Sequence, residues 1–91
     1  MIEVERNDSR HRYEGRVGGE LVTVITYARR EDVLDIAHTV TRTRSRGQGF
    51  AGKVTAAALE DIRANGWRVK PTCPYTVSFL DQHPEYADLL V

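Results

Sequence analysis

Ten residues in the middle of the chain concentrate its chemical potential: Arg44-Ser45-Arg46-Gly47-Gln48-Gly49-Phe50-Ala51-Gly52-Lys53. Glycines at this density let a backbone curl until successive N–H groups converge on one point. A helix opening at Gly49 adds its unsatisfied amides and the positive end of its dipole. Arg42, Arg44 and Arg46 stand at alternate positions just before it. Such a segment suits a phosphate or pyrophosphate. By residue types alone it reads equally well as a flexible strand-to-helix turn whose arginines are solvated. No Gly-Lys-Ser/Thr completes a Walker loop, and the segment lies too late in the chain for the dinucleotide fingerprint.

A second candidate is the only cysteine, Cys73. It precedes Pro74, a residue suited to the first turn of a helix, and a thiol at a helix N-terminus ionises more readily. That makes Cys73 a candidate nucleophile. His38 falls on an upstream strand whose simple alternation places Leu34, Ile36, His38 and Val40 on one face. It is therefore expected to approach Cys73 as a general base, acting on the thiol or on an acceptor amine. The same residues also fit blander roles, a small buried hydrophobe and a hydrogen-bonded core histidine. One cysteine forms no internal disulfide, and with three scattered histidines it offers no zinc-ligand spacing, so no metal is expected.

The elements that must position these groups follow from periodicity. Strands are expected over Ile2 to Arg6, His11 to Val17, Glu20 to Ala28 and Val33 to Arg42, with Gly18-Gly19 as a tight hairpin turn and Arg29 to Asp32 as a charged one. At Gly49 the period changes. Phe50, Val54, Ala58 and Ile62 repeat at i+4, and Asn65-Gly66 supplies the stop signal of a helix. A short strand runs from Trp67 to Lys70, a second helix covers Tyr75 to Gln82 with Val77, Leu80 and Phe79 turned inward, and Pro84 opens a last helical turn. Strand, glycine-rich loop, helix, strand is a βαβ unit. The expected fold is α/β, with a mixed, mostly antiparallel sheet and one parallel pair.

With 91 residues and no linker or repeat, one domain over 1–91 is expected. No apolar run approaches the length of a membrane span, and the N-terminus lacks a signal peptide's hydrophobic stretch, so a reducing cytoplasm is the expected compartment. Thirteen basic and thirteen acidic side chains cancel, which argues against a long polyanion such as nucleic acid. The cancellation hides an asymmetry: residues 41–70 hold seven basic groups against Glu60 and Asp61.

Arg46-x-x-Gly49-x-Ala51, placed after a strand and opening a helix, resembles the (Gln/Arg)-x-x-Gly-x-(Gly/Ala) signature of the GCN5-related N-acetyltransferases. Four ordered blocks extend the likeness: Ala37-His38-Thr39, Arg46-Gly47-Gln48-Gly49, Val69-x-Pro71-x-Cys73-Pro74-Tyr75 and His83-Pro84-Glu85-Tyr86. Together they span roughly residues 13–88 and are similar to the small, single-domain branch of that superfamily. The resemblance implies acetyl-CoA as cosubstrate and transfer of its acetyl group to an amine acceptor. It also implies that amides around Gln48, Gly49, Phe50 and Ala51 hold the pyrophosphate, with Arg46 and Gly47 shaping the loop. The strand backbone at Val40, Thr41 and Arg42 would bind the pantetheine arm. Larger members carry a tyrosine in the helix after the second parallel strand to protonate the departing thiolate; Phe79 is its nearest counterpart here. Helices that shape the acceptor pocket in larger members have no counterpart in this sequence, which implies an open acceptor side. The alternative implied is a non-catalytic acyl-CoA-binding or sensing module.

Overall fold

A computed structural model of the protein describes residues 1–91. Five strands form one sheet in chain order: β1 (Glu3–Asn7), β2 (Arg12–Val17), β3 (Glu20–Arg30), β4 (Val33–Thr41) and β5 (Arg68–Pro71). The first three pairings are antiparallel, and β4–β5 is parallel. Between β4 and β5 lie a 3₁₀ turn (Thr43–Ser45) and helix α1 (Phe50–Ala64); helix α2 (Pro74–Gln82) and a 3₁₀ segment (Pro84–Leu89) complete the chain. This is the mixed α/β architecture with one βαβ unit that periodicity anticipates. Gly18 and Gly19, both at positive φ, turn the β2–β3 hairpin. Strand β3 runs two residues beyond Ala28, so the next turn narrows to Glu31-Asp32, with Glu31 in the left-handed region.

Strand β4 does not keep a single alternation. Thr26 pairs with His38 but Tyr27 pairs with Ile36, so Ala37 is an extra residue, a β-bulge. Leu34 and Ile36 are buried before it; after it Thr39 and Thr41 continue that inner face, while His38 and Val40 turn outward and are exposed. The expected face shared by Leu34, Ile36, His38 and Val40 is therefore corrected. A period-2 reading has no way to register one inserted residue, and one residue moves every later side chain to the other side.

The core lies between the inner sheet face and α1. Val54, Ala58, Leu59 and Ile62 pack against Tyr13, Ile25, Leu34, Ile36 and Val69. At the C-terminal end of α1, the Tyr13 hydroxyl donates to Asp61 Oδ2 at 2.7 Å and Arg6 pairs with the same oxygen. Arg6 and Arg29 lie over the Trp67 ring, 4.7 and 4.3 Å from its centroid. Helix α2 turns Thr76, Phe79 and Leu80 inward, whereas Val77 is 42% exposed. The expectation for Val77 is corrected because the inward stripe begins at Thr76 and steps by three and four.

Gly15 sets how closely α1 approaches the sheet. A Cβ built on it would lie 2.5 Å from Val54 Cγ2 and 3.0 Å from Ile2 Cδ1. Val54 is β-branched and fully buried, so its methyl has no room to withdraw. Gly15→Ala is expected to lower stability by about 1–3 kcal/mol, read as a drop in thermal midpoint. Adding Val54→Ala should recover part of that loss, although Val54→Ala alone destabilises. Strictly additive losses would show that the contact does not limit the packing.

Candidate functional site

The site begins where a strand stops. β5 pairs with β4 only from Val33↔Arg68 to Ile36↔Pro71. Thr72 N and Cys73 N then both donate to Ile36 O, at 3.1 and 2.9 Å, and the chain turns away into α2. β4 continues alone to Thr41, and the gap beside it opens as a cleft of about 480 Å³. Its walls are the end of β4, the loop before α1, the first turn of α1, and Tyr75 of α2.

The loop is shaped by Gly47 and Gly49 at φ 82° and 77°. Gly49 is the N-cap of α1 in the left-handed conformation, with no side chain capping the helix and no acidic residue in its first turn. In consequence the backbone amides of residues 47–52 donate to no acceptor within the protein. Consecutive unpartnered N–H groups at a helix N-terminus form a cradle for an anion, and this donor set fits a pyrophosphate.

Side-chain charge contributes less than its density along the chain suggests. Arg42 and Arg44 both pair with Glu20, at the start of β3. Arg46 makes no ion pair; its Nε donates to Thr41 O at 3.2 Å and ties the loop to the end of β4. Among the expected cofactor residues, Val40, Thr41, Arg46, Gly47, Gly49, Phe50 and Ala51 line the cleft. Arg42 and Gln48 do not; Gln48 faces a separate small cavity with Val17, Val22 and Arg44.

The backbone of β4 is divided between its two edges. Arg42 N donates to Val22 O, which with the Val24↔Val40 register turns the N–H and C=O groups of Val40 and His38 toward β3. Those of Thr39 and Thr41 consequently face the open gap, and Thr41 O is reached there by Arg46. The free strand edge belongs to Thr39 and Thr41. Within the expected trio only Thr41 offers backbone to the cleft; Val40 contributes its side chain and Arg42 is committed to β3.

Cys73 is the N-cap of α2 and 7% exposed, just behind the cleft wall. Its Sγ lies 3.7 Å from Thr39 Oγ1, which that S–H reaches as a donor. Burial opposes ionisation of the thiol, but the Thr76 and Tyr75 amides and the Thr39 hydroxyl outweigh it and hold the thiol below its ordinary value. Thr76 Oγ1 is buried beside them with no hydrogen-bond partner. His38 does not join this group: the bulge at Ala37 places it on the outer face, and Thr39 takes the position beside Cys73. Thr39, Tyr75, Ser45 and Gly52 also line the cleft, although the sequence singled none of them out as a site residue. Thr39 was hidden by the bulge; Tyr75 was signalled only by its place two residues into the helix that Cys73 caps. Burial raises the Tyr75 phenol, so it carries its proton at neutral pH.

Gly47, Gly49 and Gly52 stand at G-x-G-x-x-G spacing, and Gly47, Gly52 and Lys53 at Walker spacing. Neither motif is realised. Dinucleotide-binding sheets are parallel around the glycine turn, whereas β4 has antiparallel β3 beside it. Val54, where a Walker loop needs a hydroxyl, is sealed against Gly15.

Comparison with solved structures finds the same fold. A GCN5-like protein from Staphylococcus aureus, solved by NMR, superposes with a TM-score of 0.74 at 22% identity, covering 98% of this chain and 87% of that one. A Bacillus subtilis acetyltransferase crystallised with CoA gives 0.63 at 15% identity, covering 89% and 72%. A ribosomal-protein-alanine N-acetyltransferase from Brucella melitensis gives 0.62 at 16%; the chain is covered to 88% and spans 60% of that enzyme. No curated protein sequence matches the chain. No helix is long and apolar enough to cross a membrane. Residues 12–89 match the family model described as GCN5-related N-acetyl-transferase, and the strand, glycine loop and helix that build the cleft lie inside that match, so the chain belongs to the GCN5-related N-acetyltransferase family.

Proposed function

We propose that the cleft binds acetyl-CoA and that the protein transfers the acetyl group to an amine acceptor, either a small molecule or a protein. The observation that carries this reading is the run of unpartnered amides over residues 47–52, opening into a cleft that follows a free strand edge to Thr39 and Cys73. The loop amides hold the pyrophosphate, Arg46 steadies the loop, and Thr39 and Thr41 offer their backbone to the pantetheine arm. The thioester then lies toward the end of the cleft where α2 begins.

Two routes fit these residues. In direct transfer the amine nitrogen bonds to the thioester carbonyl carbon, the C–S bond breaks, the departing thiolate takes a proton from the Tyr75 hydroxyl, which replaces the hydroxyl that Phe79 lacks, and the proton shed by the amine nitrogen restores that hydroxyl. In the covalent route the Cys73 thiolate forms the new bond to that carbon first, the CoA thiolate leaves, and the amine then displaces Cys73. His38 acts in either route only on an acceptor arriving over the outer sheet face. Its separation from Cys73, and the burial of Cys73, favour a second reading, a non-catalytic acyl-CoA-binding module.

Calorimetry with acetyl-CoA and with CoA should show binding. Gly49→Ala should weaken it about 5- to 30-fold, the equivalent of forcing one non-glycine residue into the left-handed region. No heat with either compound at millimolar concentration would sink both readings.

Intact-mass measurement after incubation with acetyl-CoA distinguishes the routes. One acetyl adduct that disappears on adding an amine, and is absent from Cys73→Ala, marks the covalent route. Unchanged turnover by Cys73→Ala removes it, and binding without turnover over a broad amine panel leaves the module reading.

The Cys73 thiol should titrate below the ~8.5 of a free cysteine when followed by thiolate absorbance against Cys73→Ala. Thr39→Val should move it upward. Because the folded state releases this proton more readily than the unfolded one, stability should rise with pH between the folded and unfolded values and be lost as pH falls through the folded value. An ordinary value insensitive to Thr39→Val would contradict the geometry.

A further inference from the structure

Helix α2 opens with Cys73 as its cap, followed by Pro74, Tyr75 and Thr76. A cap residue and the residue three places on face each other across the first turn, as in a capping box, where the second side chain bonds back to the amide of the first. Thr76 stands in that second place, but the Cys73 amide already donates to Ile36 O at 2.9 Å. Nor does the Thr76 hydroxyl bond one turn back, as the Thr55 hydroxyl does to Ala51 O at 2.7 Å. Thr76 is 1% exposed, and its Oγ1 has no hydrogen-bond partner. The small cavity bordering it, about 10 Å³, is apolar apart from Thr55 and Thr76, which leaves a water short of its usual three partners. A buried hydroxyl without a partner costs stability, so its retention here calls for a reason. What Thr76 does face is the Cys73 sulfur, on which its hydroxyl acts together with the Thr39 hydroxyl and the Tyr75 and Thr76 amides.

A thiol sulfur is a weak acceptor, so the hydroxyl gains little from it while Cys73 keeps its proton; a thiolate is a strong one. We propose that the Thr76 hydroxyl is the reserved donor of the Cys73 thiolate, pairing with the sulfur once its proton has left and going without a partner while a proton or an acyl group occupies it. No neighbouring charge does this work. Asp35 and His38 on β4 and Lys70 on β5 lie on the outer sheet face, Tyr75 keeps its proton, Asp81 is at the far end of α2, and α1 brings Val54, Ala58, Leu59 and Ile62 to the core around Cys73. The catalytic consequence rests on the covalent route above. There the amine nitrogen bonds to the acyl carbon of acetyl-Cys73, the carbon–sulfur bond breaks with its electron pair passing to Sγ, and the nitrogen sheds its proton to solvent. Thr76 keeps its own proton throughout and is a positioning residue. A thiolate so held is a better leaving group and a weaker nucleophile, so Thr76 favours the discharge of Cys73 over its acylation.

Cys73 is the only cysteine, so isotope-labelled cysteine followed by NMR reports its ionisation alone. Thr76→Val should titrate about one pH unit or more above wild type, the scale of one hydrogen bond to a charged group. Thr76→Ser should return the titration toward the wild-type value. Thermal midpoints separate this from a packing effect. At pH values where Cys73 is protonated, Thr76→Val should melt no lower than wild type, because a methyl replaces an unpaired hydroxyl. Above the folded value of the thiol, wild type should be the more stable, because only there does the hydroxyl have its partner. A titration unmoved by Thr76→Val, or one that Thr76→Ser fails to restore, would overturn the assignment. Intact mass after acetyl-CoA incubation tests the consequence: on addition of an amine, the Cys73 adduct should persist several-fold longer in Thr76→Val than in wild type. Equal lifetimes would remove the leaving-group role. No adduct on either protein would remove the covalent route, while the titration still decides whether Thr76 serves the thiolate.

Discussion

The arrangement depends on the short parallel pairing between β4 and β5. Pro71 has no N–H to continue a ladder, and the two amides that follow it converge on a single acceptor, Ile36 O. That doubled bond ends the strand, starts α2, and seats Cys73 at the helix cap in one step. It also leaves Thr39 and Thr41 with an unpaired edge. Such an edge is normally a liability in a sheet; here it becomes one wall of the cleft. Were β5 to pair two residues further, the Thr39 edge would be covered and the cleft beside it would close.

Electrostatics at the loop are organised by backbone more than by side chains. The excess of basic residues between 41 and 70 suggests an anion site built from arginines, yet Arg42 and Arg44 are held by Glu20 and Arg46 is engaged with the strand end. What remains directed at the cleft is a set of amide dipoles fixed by Gly47 and Gly49. Amides held in the backbone cannot swing away as a side chain can, so the cradle they form is compact and fixed in shape. They do not extend along a polymer, in keeping with the absence of net charge.

The two ends of α1 are treated differently. Its C-terminal half is anchored by the Tyr13–Asp61–Arg6 group, and Val54, one turn in from its start, packs closely over Gly15. Burial and the Asp61 partner raise the Tyr13 phenol far above its ordinary range, so this anchor keeps its proton and its donor hydrogen bond throughout physiological pH. The N-terminal turn has no cap and no such partners. The helix is held along its body and at its C-terminal end, and its first-turn amides are left without partners beside the cleft.

Much of this was legible along the chain. Hydrophobic periods located the five strands and both main helices, Gly18-Gly19 and Asn65-Gly66 marked turns by their tolerance of positive φ, and the loop from Arg46 to Ala51 signalled both the anion cradle and the family. These are local properties, set by the conformational freedom of glycine and by repeats of two or about four residues. What the chain alone misplaced was non-local. One inserted residue at Ala37, visible only when β4 is paired with β3, moved His38 away from Cys73 and put Thr39 there. The same pairing took Val40 and Arg42 out of the backbone edge, and Glu20, more than twenty residues upstream, claimed two of the arginines. The sequence by itself determined the elements, their order and the glycine-shaped loop before α1, because short-range backbone preferences suffice for those. Tertiary structure decided which side chains face the cleft, because register is a relation between strands and no single strand contains it.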